Sequence, residues 1–347
     1  MDINKLIKPN IRSLRAYQAE EIPCRIKLDA NESPFSAVSG QRSASSFKRN
    51  LQALNRYPDP QAASLRKLMA RGLKVRPQNI LHGNGSDELI YNLITVFGGP
   101  VLYPVPTFSM YGIISQALGE RKIEIPLDNE FDLDTDAFIK TIKRSNPKLI
   151  FLSSPNNPTG NCFSEDRILK IIRQSKGLVI VDEAYQPFSD KRSFIPLVKT
   201  HKNLVILRTL SKIGLAGLRV GFMIADTDII DEVNKVRLPF NVNALSQRIA
   251  TEALQNRMQL ISDIRRIISE RKRLFKELAG MDGVTPYPSD ANFIFFKVKD
   301  GERVYSGLLR KGVLIRNMKG VADGCLRVTV GTPAENAAFI KALKLIL

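Results

Sequence analysis

The sequence predicts an α/β protein, with a large domain built on a mostly parallel sheet flanked by helices and a smaller α+β domain after it. Three observations point there. The middle of the 347-residue chain alternates short apolar runs with segments of helical period, as parallel strands joined by crossover helices require. Polar, turn-forming motifs fall where those runs end, which is where such sheets gather their ligands. From about Asn243 the texture changes to a long, charged stretch of helical period and then to further strand-like segments.

The opening residues, 1–46, are rich in Pro and Ser and too poor in apolar periodicity to fold alone. They are expected to pack on the small domain or on a partner subunit. In the large domain, 47–242, strands are expected at Asn79 to His82, Val101 to Tyr103, Lys148 to Ser153, Leu178 to Asp182, Leu204 to Arg208 and Val220 to Ala225. Helix patterns lie between several of them, such as Asp87 to Phe97, opened by Ser86 with acidic residues in its first turn. The small domain, 243–347, begins with helical periodicity reaching Leu278. Strands follow at Asn292 to Val298, Val313 to Arg316 and Cys325 to Val330, and a closing helix runs from Ala334.

Composition narrows the function. Hydrophobic residues at 44% and charged residues at 25% suit a soluble globular enzyme, and no run is long and apolar enough to span a bilayer. Residues 1–9 lack the apolar centre and cleavage site of a secretory signal, so a cytoplasmic location is expected. Cys24, Cys162 and Cys325 have no paired spacing, which indicates neither a disulfide framework nor a zinc site. The formal charge of +18 favours anionic ligands. Its basic residues are scattered, without a tail, zinc finger or RNP-type motif, so phosphorylated small molecules are expected rather than nucleic acid. His82 and His201, the only histidines, sit in no Ser/His/Asp or metal-ligand pattern, and no metal is expected.

Chemistry gathers at the strand ends. In Thr209-Leu-Ser-Lys212-Ile-Gly-Leu-Ala-Gly-Leu-Arg219 an apolar strand runs into a small-residue turn that carries a lysine hemmed in by Leu210, Ile213, Leu215 and Leu218. Thr209, Ser211 and Arg219 are donors of the kind that hold a phosphate dianion. Lysine and phosphate donors together point to a phosphorylated aldehyde, pyridoxal phosphate. Asp182 and Tyr185 end another strand in Val181-Asp-Glu-Ala-Tyr185. A carboxylate there would keep the cofactor's pyridine nitrogen protonated, and a phenol would donate to its phenolate oxygen. Ser153-Ser-Pro-Asn156-Asn157-Pro-Thr-Gly160 reads as tight turns, with Asn157 pushed towards extended backbone by Pro158. His82-Gly-Asn-Gly85-Ser86-Asp87 is a glycine turn feeding a helix start, a place for an anion. Phe108, just after a strand, is a candidate to stack on the ring.

The ordered set S-P-N-N-P-T-G, V-D-E-A-Y and S-K-x-G-L-A-G-L-R-V-G resembles fold-type I pyridoxal-phosphate-dependent aminotransferases. Lys27-Leu-Asp-Ala-Asn-Glu-Ser-Pro-Phe35, Asn55-Arg-Tyr57-Pro-Asp-Pro-Gln61 and Gly324-Cys-Leu-Arg327-Val-Thr-Val-Gly-Thr332 bring it nearest the histidinol-phosphate aminotransferase family. The resemblance covers nearly the whole chain. It implies transamination between histidinol phosphate and 2-oxoglutarate, with glutamate and imidazole-acetol phosphate as the other pair, in a homodimer. It makes Lys212 the Schiff-base and proton-transfer lysine, with Asp182 at the pyridinium nitrogen and Asn157 and Tyr185 at the phenolate oxygen. It places Gly85, Ser86, Asp87, Thr209, Ser211 and Arg219 around the phosphate. It also implies that Tyr57 reaches the partner subunit's cofactor, and that Tyr17, Arg316 and Arg327 contact substrate. Two features depart from the family pattern. Lys212 and Arg219 are seven apart, one residue closer than is common, so the turn must be tighter, and Phe108 stands where tyrosine is frequent. A threonine-phosphate decarboxylase, an aromatic aminotransferase and a non-catalytic sensor of this fold are the alternatives.

Overall fold

The computed structural model describes residues 22–35 and 55–347. In chain order its strands are β1 (Ile26–Leu28), β2 (Ile80–Asn84), β3 (Val101–Val105), β4 (Lys122–Pro126), β5 (Leu149–Ser153), β6 (Leu178–Asp182), β7 (Leu204–Thr209), β8 (Val220–Ile224), β9 (Val284–Pro286), β10 (Phe293–Val298), β11 (Val313–Asn317) and β12 (Cys325–Thr329). They form a seven-stranded sheet ordered β2-β8-β7-β6-β5-β3-β4 and a five-stranded sheet ordered β1-β11-β12-β10-β9.

In the larger sheet β8 runs antiparallel to both its neighbours, and the other pairings are parallel. Every residue of β5 and β8 is buried, and so are nearly all of β6 and β7. That is what a sheet covered by helices on both faces demands, and it explains why these strands read as unbroken apolar runs. One face packs on the helices at Ala63–Leu73, Thr135–Ser145, Glu165–Gln174 and Ala244–Gln255, through residues such as Leu65, Phe138, Ile168 and Ala250. The other packs on Gly85–Phe97, Met110–Leu118 and Thr227–Val236 through Leu89, Leu93, Tyr111 and Val233. Each fully buried Leu, Ile or Phe contributes about 1.5–3 kcal/mol of transfer free energy, so these two layers dominate the fold's stability.

The smaller sheet is antiparallel except where β1 lies parallel to β11. Of the segment 1–46 only residues 22–35 are described, and within them Ile26 to Leu28 pair with β11, with Ile26 and Leu28 turned in and Lys27 out. The long helix-period stretch is two helices, Ala244–Gln255 and Arg257–Ala279, broken at Asn256. Strands β1, β4 and β9 have no counterpart among the expected strands. β4 is an edge strand whose Lys122 and Glu124 face solvent, and β1 and β9 are three residues long.

Several contacts join the two sheets. Ala184, Tyr185 and Phe188, which follow β6, belong to the same apolar cluster as Phe293, Ile294 and Val328. Buried Arg271 donates to the carbonyls of Phe188 at 3.1 Å and Ala291 at 2.7 Å. The amide of Asp290 donates to the Gly160 carbonyl at 2.7 Å. Gly160 itself has φ +87°, and a Cβ there would lie 2.7 Å from Ser289 Oγ, so this approach needs glycine both conformationally and sterically.

Candidate active site

Parallel pairing sets Ser153 and Asp182 side by side at the carboxyl ends of β5 and β6, and β7 ends in Thr209 on the far side of β6. A cavity of about 340 Å³ opens over these ends. Lys212, Asp182, Tyr185, Asn157, Phe108, Ser86, Asp87, Thr209, Ser211 and Arg219 all line it, together with Ser153, Met110 and Ala184. A larger groove, of about 800 Å³, lies at the edge of the small sheet beside Asp300, Glu302 and Lys319, and holds none of the expected site residues.

The turn that carries Lys212 is two short 3-10 segments, Ser211–Ile213 and Ala216–Leu218, joined through Gly214 at φ +95°. The second ends on Arg219 in the left-handed conformation, with φ 52° and ψ 54°. That tight winding accommodates the short Lys212 to Arg219 interval. The Arg219 carbonyl accepts from the Gly85 amide at 2.8 Å, and its guanidinium donates to Asp87 Oδ2 at 2.9 Å. Gly85, at φ +76°, lies just outside the lining, and a Cβ on it would sit 2.6 Å from Arg219 Nη2. The helix that begins at Gly85 has no side-chain cap, so beyond the Gly85 amide, which the Arg219 carbonyl takes, the amides of Ser86 and Asp87 in its first turn can meet an anion. Thr209 Oγ1 and Ser211 Oγ, 2.9 Å apart, add hydroxyls to the same corner. Lys212 Nζ lies 5.7 Å from the centroid of the Tyr185 ring.

Asp182 is buried, and its bonded partners are the Tyr111 hydroxyl at 2.8 Å and the Ala184 amide at 3.1 Å. Burial pushes its carboxyl group up to about 6, against the lowering effect of these two donors. Tyr111, fully buried, is pushed well above its ordinary value by burial and by the neighbouring Asp182, so it stays a donor. A carboxylate desolvated in this way, with two neutral donors and no bonded cation among the described residues, suits a cationic ring nitrogen. With the amine of Lys212, the phenol of Tyr185, the ring of Phe108 and the phosphate corner at Arg219, the cavity fits pyridoxal phosphate.

Tyr111 was not among the residues expected at the site, although Phe108-Ser-Met-Tyr111 carries its signal. Three residues after Phe108, at the start of the Met110–Leu118 helix, it falls on the same side of the chain. Its ring packs edge-on against Phe108 at 5.6 Å and stacks on Phe151 at 4.8 Å. Asn31 is the other addition, since its Nδ2 donates to the Tyr185 hydroxyl at 3.0 Å.

The expected substrate contacts lie elsewhere. Arg327 is buried on β12, donating to Asn157 Oδ1 and, at 2.6 Å, to the Asp29 carbonyl. It thereby reaches the cavity's Asn157 without lining the cavity itself. Arg316 is half-buried on β11, directly opposite Arg327. Tyr57 is 81% exposed and stacks on Phe240 at 4.5 Å, away from the cavity. Tyr17 lies outside the described residues. His82 is buried and held near 3 by burial and by Arg237 and Arg66. Cys162 is pushed up to about 12 by burial, and among the described residues no acidic, histidine and cysteine side chains gather as a metal site.

The chain is similar to known proteins in sequence and in fold. The family model for aminotransferase class I and II matches residues 25–343. A histidinol-phosphate aminotransferase from a Thermoanaerobacter species is 42% identical, with 99% of each chain covered. One from Aquifex aeolicus is 41% identical, covering 98% of this chain and 97% of its own. The crystal structure of the Sinorhizobium meliloti histidinol-phosphate aminotransferase in complex with pyridoxal-5′-phosphate superposes with a TM-score of 0.87 at 25% identity, covering 98% of this chain and 97% of that one. By sequence over nearly its full length and by fold, the chain belongs to the histidinol-phosphate aminotransferase family of class I and II aminotransferases.

Proposed function

We propose that this protein is a pyridoxal-phosphate-dependent transaminase that interconverts histidinol phosphate and imidazole-acetol phosphate, with glutamate and 2-oxoglutarate as the second pair. The observation that carries this reading is the convergence of Lys212, Asp182, Tyr185 and Asn157 with the Asp87–Arg219 pair on one cavity. It occurs in a chain 42% identical to a histidinol-phosphate aminotransferase over 99% of its length.

When bound, the cofactor supplies an electron sink that stabilises negative charge at the substrate's Cα. Lys212 Nζ takes the Cα proton and later redelivers it, acting first as base and then as acid. The Asp182 carboxylate, desolvated and held by Tyr111 and Ala184, keeps a proton on the ring nitrogen. Tyr185 and Asn157 orient the ring from its oxygen side, and Phe108 covers a face. Ser86, Thr209, Ser211 and Arg219, with the free amides after Gly85, hold the phosphate, while Asp87 fixes the Arg219 guanidinium. Arg327 and Arg316, opposite each other on neighbouring strands, form a pair suited to a doubly charged anion, a role the resemblance extends to Tyr17. Exposed Tyr57, on a surface shared with Phe240 and Pro239, fits a homodimer in which each subunit completes its partner's site.

Incubation with 2-oxoglutarate and, separately, histidinol phosphate, O-phosphothreonine or phenylalanine tests the reading. Glutamate should form fastest with histidinol phosphate. Carbon dioxide from O-phosphothreonine, with no glutamate from histidinol phosphate, would overturn it.

A further inference from the structure

We propose that Asn31 is a positioning residue for the reaction: it fixes the direction in which the Tyr185 hydroxyl donates its proton. Asn31 and Thr329 are buried, so their polar atoms answer to each other and to the Tyr185 hydroxyl, while Tyr185, buried as a residue, also lines the cavity. The Asn31 amide nitrogen donates to Thr329 Oγ1 at 2.9 Å, and Thr329 Oγ1 donates in turn to Asn31 Oδ1 at 3.1 Å. Asn31 Nδ2 then donates to the Tyr185 hydroxyl at 3.0 Å.

The polarity of this chain follows from counting protons. The Thr329 hydroxyl has one proton and receives one bond from the Asn31 backbone, so its proton goes to an acceptor, the Asn31 side-chain oxygen. That choice turns the amide's NH₂ group towards Tyr185. An amide nitrogen only donates, so Tyr185 accepts from it, and the single phenolic proton is left for the cavity that Tyr185 lines. The reversed amide would leave the Thr329 proton without an acceptor in a buried site, at the full desolvation cost of that group. Asn31 also stands at φ +53°, a conformation that Asn and Asp tolerate better than most side chains. Its carbonyl accepts from Asn292 Nδ2 at 3.0 Å, which anchors the segment to the small sheet. The arrangement joins three separate parts of the chain to aim one proton.

In a transaminase of the kind proposed above, on which this role rests, the outward proton of Tyr185 meets the cofactor's phenolate oxygen and favours its ionised form. Removing that donation should raise the pH at which the visible band of the cofactor-loaded protein changes. The test is this pH titration of the band in wild type, Asn31→Asp, Thr329→Val and Thr329→Ser, with Asn31→Asp also made in a Tyr185→Phe background. Aspartate tolerates the backbone conformation but presents only acceptors, so Tyr185 must donate to it. The midpoint should rise by about one pH unit in Asn31→Asp and in the same direction in Thr329→Val. Thr329→Ser, which keeps the hydroxyl, should stay at the wild-type midpoint. In the Tyr185→Phe background the Asn31→Asp shift should largely vanish, because the phenol through which it acts is gone. An equal shift with and without the phenol would mean that the new charge alone acts, and would overturn the inference. So would unchanged midpoints in both Asn31→Asp and Thr329→Val. A wild-type chain that never acquires the band sinks the transaminase reading, and this role with it.

Discussion

Asp182→Asn should make the cofactor-free protein more stable at alkaline pH while abolishing its activity. Asp182 is buried, and burial raises its carboxyl group from 3.8 to about 6. The native state therefore binds a proton between these values while the unfolded chain does not. The sign follows from that difference: stability associated with this group is fully present below 3.8 and lost as pH rises through about 6. The full loss is about 3 kcal/mol. Asparagine carries no charge to desolvate, and its Oδ1 can still accept from the Ala184 amide. Its NH₂ group cannot accept from Tyr111, a loss of about 1 kcal/mol. The net expectation is that Asp182→Asn is more stable than wild type by about 2 kcal/mol at pH well above 6, and that the advantage disappears as pH falls towards 4. Urea denaturation of both cofactor-free proteins, at one pH on each side of this window, measures the difference directly. If the asparagine variant is equally or less stable at the higher pH, the carboxylate is not held at a cost. The argument that its site is preorganised for a cation then fails.

Three further outcomes are expected. Lys212→Ala should abolish turnover and remove the visible absorbance of the cofactor-loaded protein, and an unchanged spectrum would refute the assignment of that lysine. Gly85→Ala places a Cβ 2.6 Å from Arg219 Nη2 at a φ of +76°. It should weaken cofactor affinity about tenfold by displacing the guanidinium that the phosphate needs, as read by titrating the absorbance with cofactor. His82, pushed from 6.5 down to about 3, is neutral in the folded chain, so the unfolded state gains its proton first as pH falls. Wild type should therefore lose about 1.4 kcal/mol per pH unit below 6.5 on account of this residue. His82→Gln should show a shallower acid limb in the same denaturation assay, and identical limbs would refute the reading.

Which parts of the molecule could be read from sequence follows from how far each determinant extends along the chain. β5 to β8 announce themselves because both their faces are buried, so each is a local apolar run. β4 does not, because an edge strand keeps Lys122 and Glu124 in water and breaks the run. The catalytic candidates were legible for the same reason as the central strands, since Asp182 and Lys212 lie at or just after the ends of apolar runs. Their partners were not. Tyr111 meets Asp182 across 71 residues and Asn31 meets Tyr185 across 154, and no window of sequence contains either pair. Tyr57 marks a different limit. Its ring is exposed beside Phe240, so the role proposed for it rests on a partner subunit and not on any contact within this chain's cavity. The residues that would perform the chemistry are thus local features, whereas their partners come together only on folding: Tyr111 meets Asp182 within the layers of the large sheet, and Asn31 meets Tyr185 only where the two sheets join. The small sheet contributes Thr329 and the anchor for Asn31, and the large sheet contributes Asp182 and the turn that holds Lys212.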